Sequence, residues 1–126
     1  MTPEEMKSRT RDLAVRIIRL VKALPRDRAA DVLGRQLLRA GTSIGANYRA
    51  ACRSRSDKDF LARMGVVEEE SDETLYWIEL LVRAALVRET LVCSLITECQ
   101  EILSTVVASI KTVKKRLGVA RRNTEM

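Results

Sequence analysis

Arg28, Arg35, Arg39, Arg49 and Arg53 are the residues of this chain best suited to chemistry, and that chemistry is contact with phosphate. Read as a helix at ~100° per residue, the segment from Asp27 to Arg55 places all five within about 40° of one line. The resulting ridge is ~38 Å long at 1.5 Å per residue, enough to meet several phosphates. Arg55, Lys58 and the later Lys114, Lys115 and Arg116 extend it. Such contacts are sequence-independent and steeply salt-dependent. No motif for reading base edges accompanies them.

Other chemistries lack their parts. The chain has no histidine, and Cys52, Cys93 and Cys99 form neither a Cys-x-x-Cys nor a zinc spacing. They read as buried, reduced thiols packing as small hydrophobes. Glu69, Glu70 and Glu73 resemble half of a helical di-iron site, but those sites take a Glu-x-x-His from two helices. With no glycine-rich phosphate loop and no nucleophile beside a base, the expectation is a non-enzymatic chain, without metal or cofactor.

Helices must position the arginines. The 126 residues are 46% hydrophobic, 32% charged and only 3% aromatic, with two prolines, a balance that favours helix. Opposite the ridge, Leu33, Leu37, Ala40, Ile44, Asn47 and Ala51 follow a 4-3-4-3-4 spacing, an apolar seam of the bundle kind. Gly34, Gly41 and Gly45 lie on one flank, where a neighbouring helix packs closely, within the bundle or across a subunit contact. Asn47, an amide on the seam, fixes register and finds partners in Ser71 and Thr74 of the following helix.

The remaining segments read likewise. Thr2, Pro3, Glu4 and Glu5 open a helix that Pro25 closes, with Leu13, Ile17, Leu20 and Leu24 as its seam. Ser56 caps a third, whose seam runs from Phe60 to Ala85. Its far face carries Glu69, Asp72, Glu73 and Tyr76, with Trp77 on the flank, a surface suited to protein contact. A break near Val87–Glu89 leads to a fourth, from Leu91 to Leu117, closed by Gly118. The expectation is an all-α, up-down-up-down four-helix bundle over residues 1–126, with helices at about 3–24, 27–54, 57–87 and 90–117 and a mobile tail at 118–126 that lends Arg121 and Arg122 to an acidic partner. No apolar run approaches a membrane span and no signal peptide opens the chain, so a cytoplasmic location without membrane contact is expected.

Charge is segregated. Residues 1–58 hold 14 Lys/Arg and 6 Asp/Glu, residues 59–110 hold 3 and 10, and residues 111–126 hold 6 and 1, within an overall +6. Basic segments could meet nucleic acid. Alternatively, the arginine ridge of one subunit could dock on the acidic face of the next in a structural or adaptor oligomer. Gly34, Gly41, Gly45, Glu69, Asp72, Glu73, Tyr76 and Trp77 are the candidate oligomer interface.

The run Arg39-Ala40-Gly41-Thr42-Ser43-Ile44-Gly45-Ala46-Asn47-Tyr48-Arg49 is followed by Ala51-Cys52-Arg53, Ser56, Asp59-Phe60 and Glu70-Ser71-Asp72-Glu73-Thr74-Leu75-Tyr76-Trp77. Together these resemble the four-helix-bundle proteins of the 23S rRNA intervening-sequence family. The pattern departs at Ala50, where Glu is expected. The resemblance implies a bacterial homo-oligomeric ring, a pentamer. It also implies similarity to the accessory variability protein of diversity-generating retroelements, and hence nucleic acid and a reverse transcriptase as partners.

Overall fold

The computed structural model describes the backbone of residues 1–125 and the side chains of residues 1–118. Four helices account for nearly all of it: α1 (Pro3–Lys22), α2 (Arg28–Cys52), α3 (Asp57–Arg83) and α4 (Glu89–Glu125), with no strand among the described residues. Each of the first three starts on a cap. Thr2 and Glu5 form a reciprocal capping box, Asp27 accepts from the Ala30 amide, and Ser56 accepts from the Asp59 amide.

Successive helices run antiparallel, as the residues that meet across them show. Along α1 and α2, Gly34 meets Val21, Gly41 meets Ile17 and Gly45 meets Thr10. Arg39 of α2 faces Glu70 and Glu73 of α3, Ser71 of α3 faces Cys99 of α4, and Arg9 of α1 faces Glu98 and Glu101 of α4. The four thus close on themselves, α1 beside α4. Leu13, Ile17, Leu37, Ile44, Met64, Ile78, Leu81 and Ile102 fill the centre, all buried. Each such side chain contributes roughly 1.5–3 kcal/mol on leaving water.

The buried stripe of α2 is rotated toward its glycines. Ala30, Gly34, Gly41 and Tyr48 join Leu37, Ala40, Ile44 and Ala51 inside, while Leu33 and Asn47 are only half-buried. The cause is α1, which presses onto the glycine flank so closely that a Cβ on Gly41 would overlap the Ile17 side chain. The close neighbour of Gly34, Gly41 and Gly45 is therefore a helix of the same chain, not a second subunit. In α4 the inward residues are Val92, Leu95, Cys99, Ile102, Val106, Ile110 and Val113, and Leu91 is exposed.

The expected pairing of Asn47 with Ser71 and Thr74 does not form. Asn47 donates to the Ser43 carbonyl (2.8 Å), Ser71 to Val67 (2.8 Å) and Thr74 to Glu70 (2.8 Å). Each polar group is satisfied one turn back on its own helix, so none needs a partner across the core. The middle layer is polar in composition but locally closed.

Two boundaries differ from those the sequence predicts. α3 stops at Arg83 in a Schellman motif: Leu86 donates to Leu81 (2.9 Å), Ala85 donates to Val82 (3.0 Å), and Ala85 takes φ 59°. An alanine fills the place glycine usually takes, which hides the stop from inspection of the sequence. Conversely, α4 continues through Gly118 to Glu125, and no glycine has positive φ. One interior glycine costs a helix about 1 kcal/mol and does not oblige it to end. The expected tail is thus helical backbone as far as Glu125, while Arg121 and Arg122 lie outside the described side chains.

The segment Glu89–Gly118 is long and apolar enough, by length and composition, to cross a membrane. Glu98 and Glu101 interrupt its apolar runs, which is why none stands out in the sequence. Here one face of that helix packs in the core and both carboxylates pair with Arg9.

Candidate nucleic-acid interface

All five ridge arginines are exposed and Leu37 and Ile44 on the opposite face are fully buried, so α2 is the two-sided strip its spacing indicates. The arginines are not equivalent. Arg39 bridges to α3, 3.4 Å from both Glu70 and Glu73, and Arg35 pairs one turn back with Asp31 at 3.1 Å. Arg28, Arg49 and Arg53 make no ion pair with a described residue.

Arg49 and Arg53 sit one turn apart and share a shallow depression with Ala46, Ala50 and Arg63 of α3. Two alanines make its floor low, so three guanidinium groups ring a concave patch. Arg63 is held by Asp59 at 3.2 Å, whereas the α2 pair stays without a counter-ion among the described residues. Ala50 matters here, because the Glu expected at that position would bring a carboxylate into the patch. Arg63 was not legible as a member; it lies on another helix, and only the α2–α3 packing brings it alongside.

The remaining cations gather near the same end. Arg116 donates to Asp57 from Nη2 (3.0 Å) and Nε (3.2 Å), which ties the late basic segment to the start of α3 beside Arg55 and Lys58. That carboxylate raises the Arg116 guanidinium above its ordinary value. Arg55, Lys58, Lys114 and Lys115 are exposed and form no ion pair with a described residue. Arg28 stands at the far end of α2, separated from this cluster by the length of the helix.

The acidic face of α3 is divided. Glu69, Asp72 and Tyr76 are exposed, but Glu73 and Glu70 turn toward α2 to receive Arg39. Trp77 is half-buried against the core, edge-on to Tyr76 at 5.2 Å between ring centres. No cluster of three metal-ligating side chains occurs among the described residues. Of the cysteines only Cys99 is buried, where desolvation pushes its thiol up to about 12; Cys52 and Cys93 are exposed, contrary to expectation, because they fall beside the seams rather than on them.

Residues 4–108 match the family model described as 23S rRNA-intervening sequence protein. The chain belongs to that family. A crystal structure of a family relative from Bacteroides thetaiotaomicron VPI-5482, described as a protein with unknown function from the S23 ribosomal protein family, is similar. It shares 35% identity with a TM-score of 0.81, over 88% of this chain and 99% of the other. No curated protein matches the chain.

Proposed function

We propose that this member of the 23S rRNA-intervening sequence protein family is a non-enzymatic, basic homo-oligomeric bundle that binds RNA or DNA through phosphate contacts. Arg49 and Arg53 carry the reading: two adjacent guanidinium groups beside Arg63, without a carboxylate partner of their own in the described structure. Arg55, Lys58, Lys114 and Lys115 enlarge the cationic end, while Arg28 and Arg35 continue it along α2. The subunits assemble as a ring, a pentamer, and the particle serves as an accessory factor to a reverse transcriptase or another RNA-associated complex in the bacterial cytoplasm.

The pairing of ridge against acidic face between subunits is the weaker alternative, since Arg39, Glu70 and Glu73 already pair within one chain. A double Arg49→Glu, Arg53→Glu variant tests the proposal. Retention on RNA and on DNA at low salt should be abolished while light scattering shows an unchanged particle mass. Unchanged retention overturns the proposal; altered mass with retention intact favours the structural oligomer.

A further inference from the structure

Along α4 runs a second stripe, turned away from the core. Glu89, Cys93, Ile96, Ser104, Val107 and Lys111, with Gln100 midway, lie within about 40° of one line on the helix. Their spacing is 4-3-4-4-3-4, the same from either end. Glu89, Cys93, Gln100, Ser104 and Lys111 are exposed and Ile96 and Val107 half-buried, so each keeps surface for a contact. Leu75 and Val82 of α3, also half-buried, border the groove at Ile96 and Gln100.

The composition of this face is unlike the rest of the surface. Charged residues are 32% of the chain, yet between Glu89 and Lys111 stand only Glu98 and Glu101. Arg9 takes both of them, on the α1 side. An 18-residue stretch within Glu89–Gly118 reaches a mean hydropathy of 1.5 while only 28% of it is buried. A solvated helix face is ordinarily charged, and an uncharged, half-apolar one left open marks an interaction surface. Gln100 and Ser104 at its centre suit a facing helix, which can bond them, better than lipid, which cannot. The ends decide which helix. Glu89 at one end and Lys111 at the other make no ion pair with a described residue.

We propose that this face of α4 pairs with the same face of a second copy, antiparallel about Gln100. Each Glu89 then meets the partner's Lys111, Cys93 meets the partner's Val107, and Ile96 meets the partner's Ser104. The palindromic spacing makes all these pairs coincide, and the opposite charges at the two ends favour the antiparallel direction over the parallel one. Such an isologous contact joins copies in twos and is separate from the heterologous contact that a ring needs. It does not rest on the nucleic-acid reading, because neither Glu89 nor Lys111 belongs to that surface.

The test mixes ¹⁴N and ¹⁵N samples of the full chain and treats them with a zero-length carbodiimide. The helix holds Glu89 and Lys111 of one chain ~33 Å apart, so any link between them joins two copies. A mixed-isotope Glu89–Lys111 peptide is the expected product. Glu89→Lys and Lys111→Glu should each weaken self-association by about tenfold in sedimentation, because like charges then oppose at both ends. The double exchange should restore it. Cys93, exposed in the single chain, should lose thiol reactivity as protein concentration rises, whereas Cys52 should not. Absence of the link overturns the proposal, as does a double exchange no tighter than either single variant or a Cys93 whose reactivity ignores concentration. Attachment of the unmodified protein to phosphatidylcholine vesicles in place of pairing would assign the face to lipid and overturn it too.

Discussion

Arg116 and Asp57, 59 positions apart, meet at 3.0 Å. Through that ion pair the basic C-terminal segment and the basic start of the chain share one end of the bundle, although the sequence separates them by its most acidic stretch. Cationic surface at that end is a property of the fold, and it sets how the arginines should divide between roles.

Arg53 and Arg39 should behave differently under the same substitution. Arg53→Gln should weaken nucleic-acid retention and lower the slope of log affinity against log salt by about 0.9 on duplex DNA, because one phosphate fewer is neutralised. Arg39→Gln should leave most of the retention and reduce stability by less than about 1 kcal/mol, as for exposed ion pairs. Salt-titrated binding combined with urea denaturation separates the two; equal effects on retention would contradict the division.

Acid should loosen the α1–α4 side first. Arg9 donates to Glu98 and Glu101, each at 2.7 Å, and the hydrogen bond from Arg9 holds the Glu98 carboxyl below its ordinary value despite partial burial. A lowered folded-state value means the stabilisation is present above the unfolded carboxylate range near 4.3 and disappears as pH falls through the folded value. Denaturation at pH 7 and pH 3 should show this decline, and Glu98→Gln should lower stability at pH 7 while flattening the acid dependence. Parallel acid limbs in the two proteins would refute the assignment.

Ala85→Gly should stabilise the chain by about 1 kcal/mol. Ala85 holds φ 59° at the end of α3, a conformation in which its Cβ is strained and glycine is not. Thermal unfolding measures the gain directly, and a destabilised variant would mean that the turn does not take this form.

Glycines should separate by their surroundings. Gly41→Ala should destabilise by roughly 1–3 kcal/mol, because the new methyl meets Ile17 in a packed interior. Gly65→Ala, with nothing within 4 Å of the added carbon, should stabilise α3 by about 1 kcal/mol. Chemical denaturation of both variants decides whether α1 truly closes the glycine flank; a Gly41→Ala protein as stable as its parent would show that it does not.

Thiol reactivity offers a quick check on the core. Cys52 and Cys93 should react with an aromatic disulfide reagent in the native protein, and Cys99 only on unfolding, since it is buried with its thiol pushed up to about 12. Three equally fast thiols would place Cys99 at the surface.

Helix number, caps and the two-sided character of α2 were legible in the chain itself, because capping and amphipathic periodicity are local rules that Thr2, Asp27, Ser56, Leu37 and Ile44 obey within one or two turns. What those rules cannot reach is partnership across helices. Arg9 with Glu98, Arg39 with Glu70 and Glu73, and Arg63 beside Arg49 and Arg53 all depend on which helix lies next to which. Ala85 and Gly118 mark the same limit at shorter range. A stop can form at an alanine when the Schellman bonds reward it, and a helix can run through a glycine when nothing demands a turn. Residue type set the local preferences here; the packing of four helices decided which carboxylate each arginine met and which arginines were left facing water.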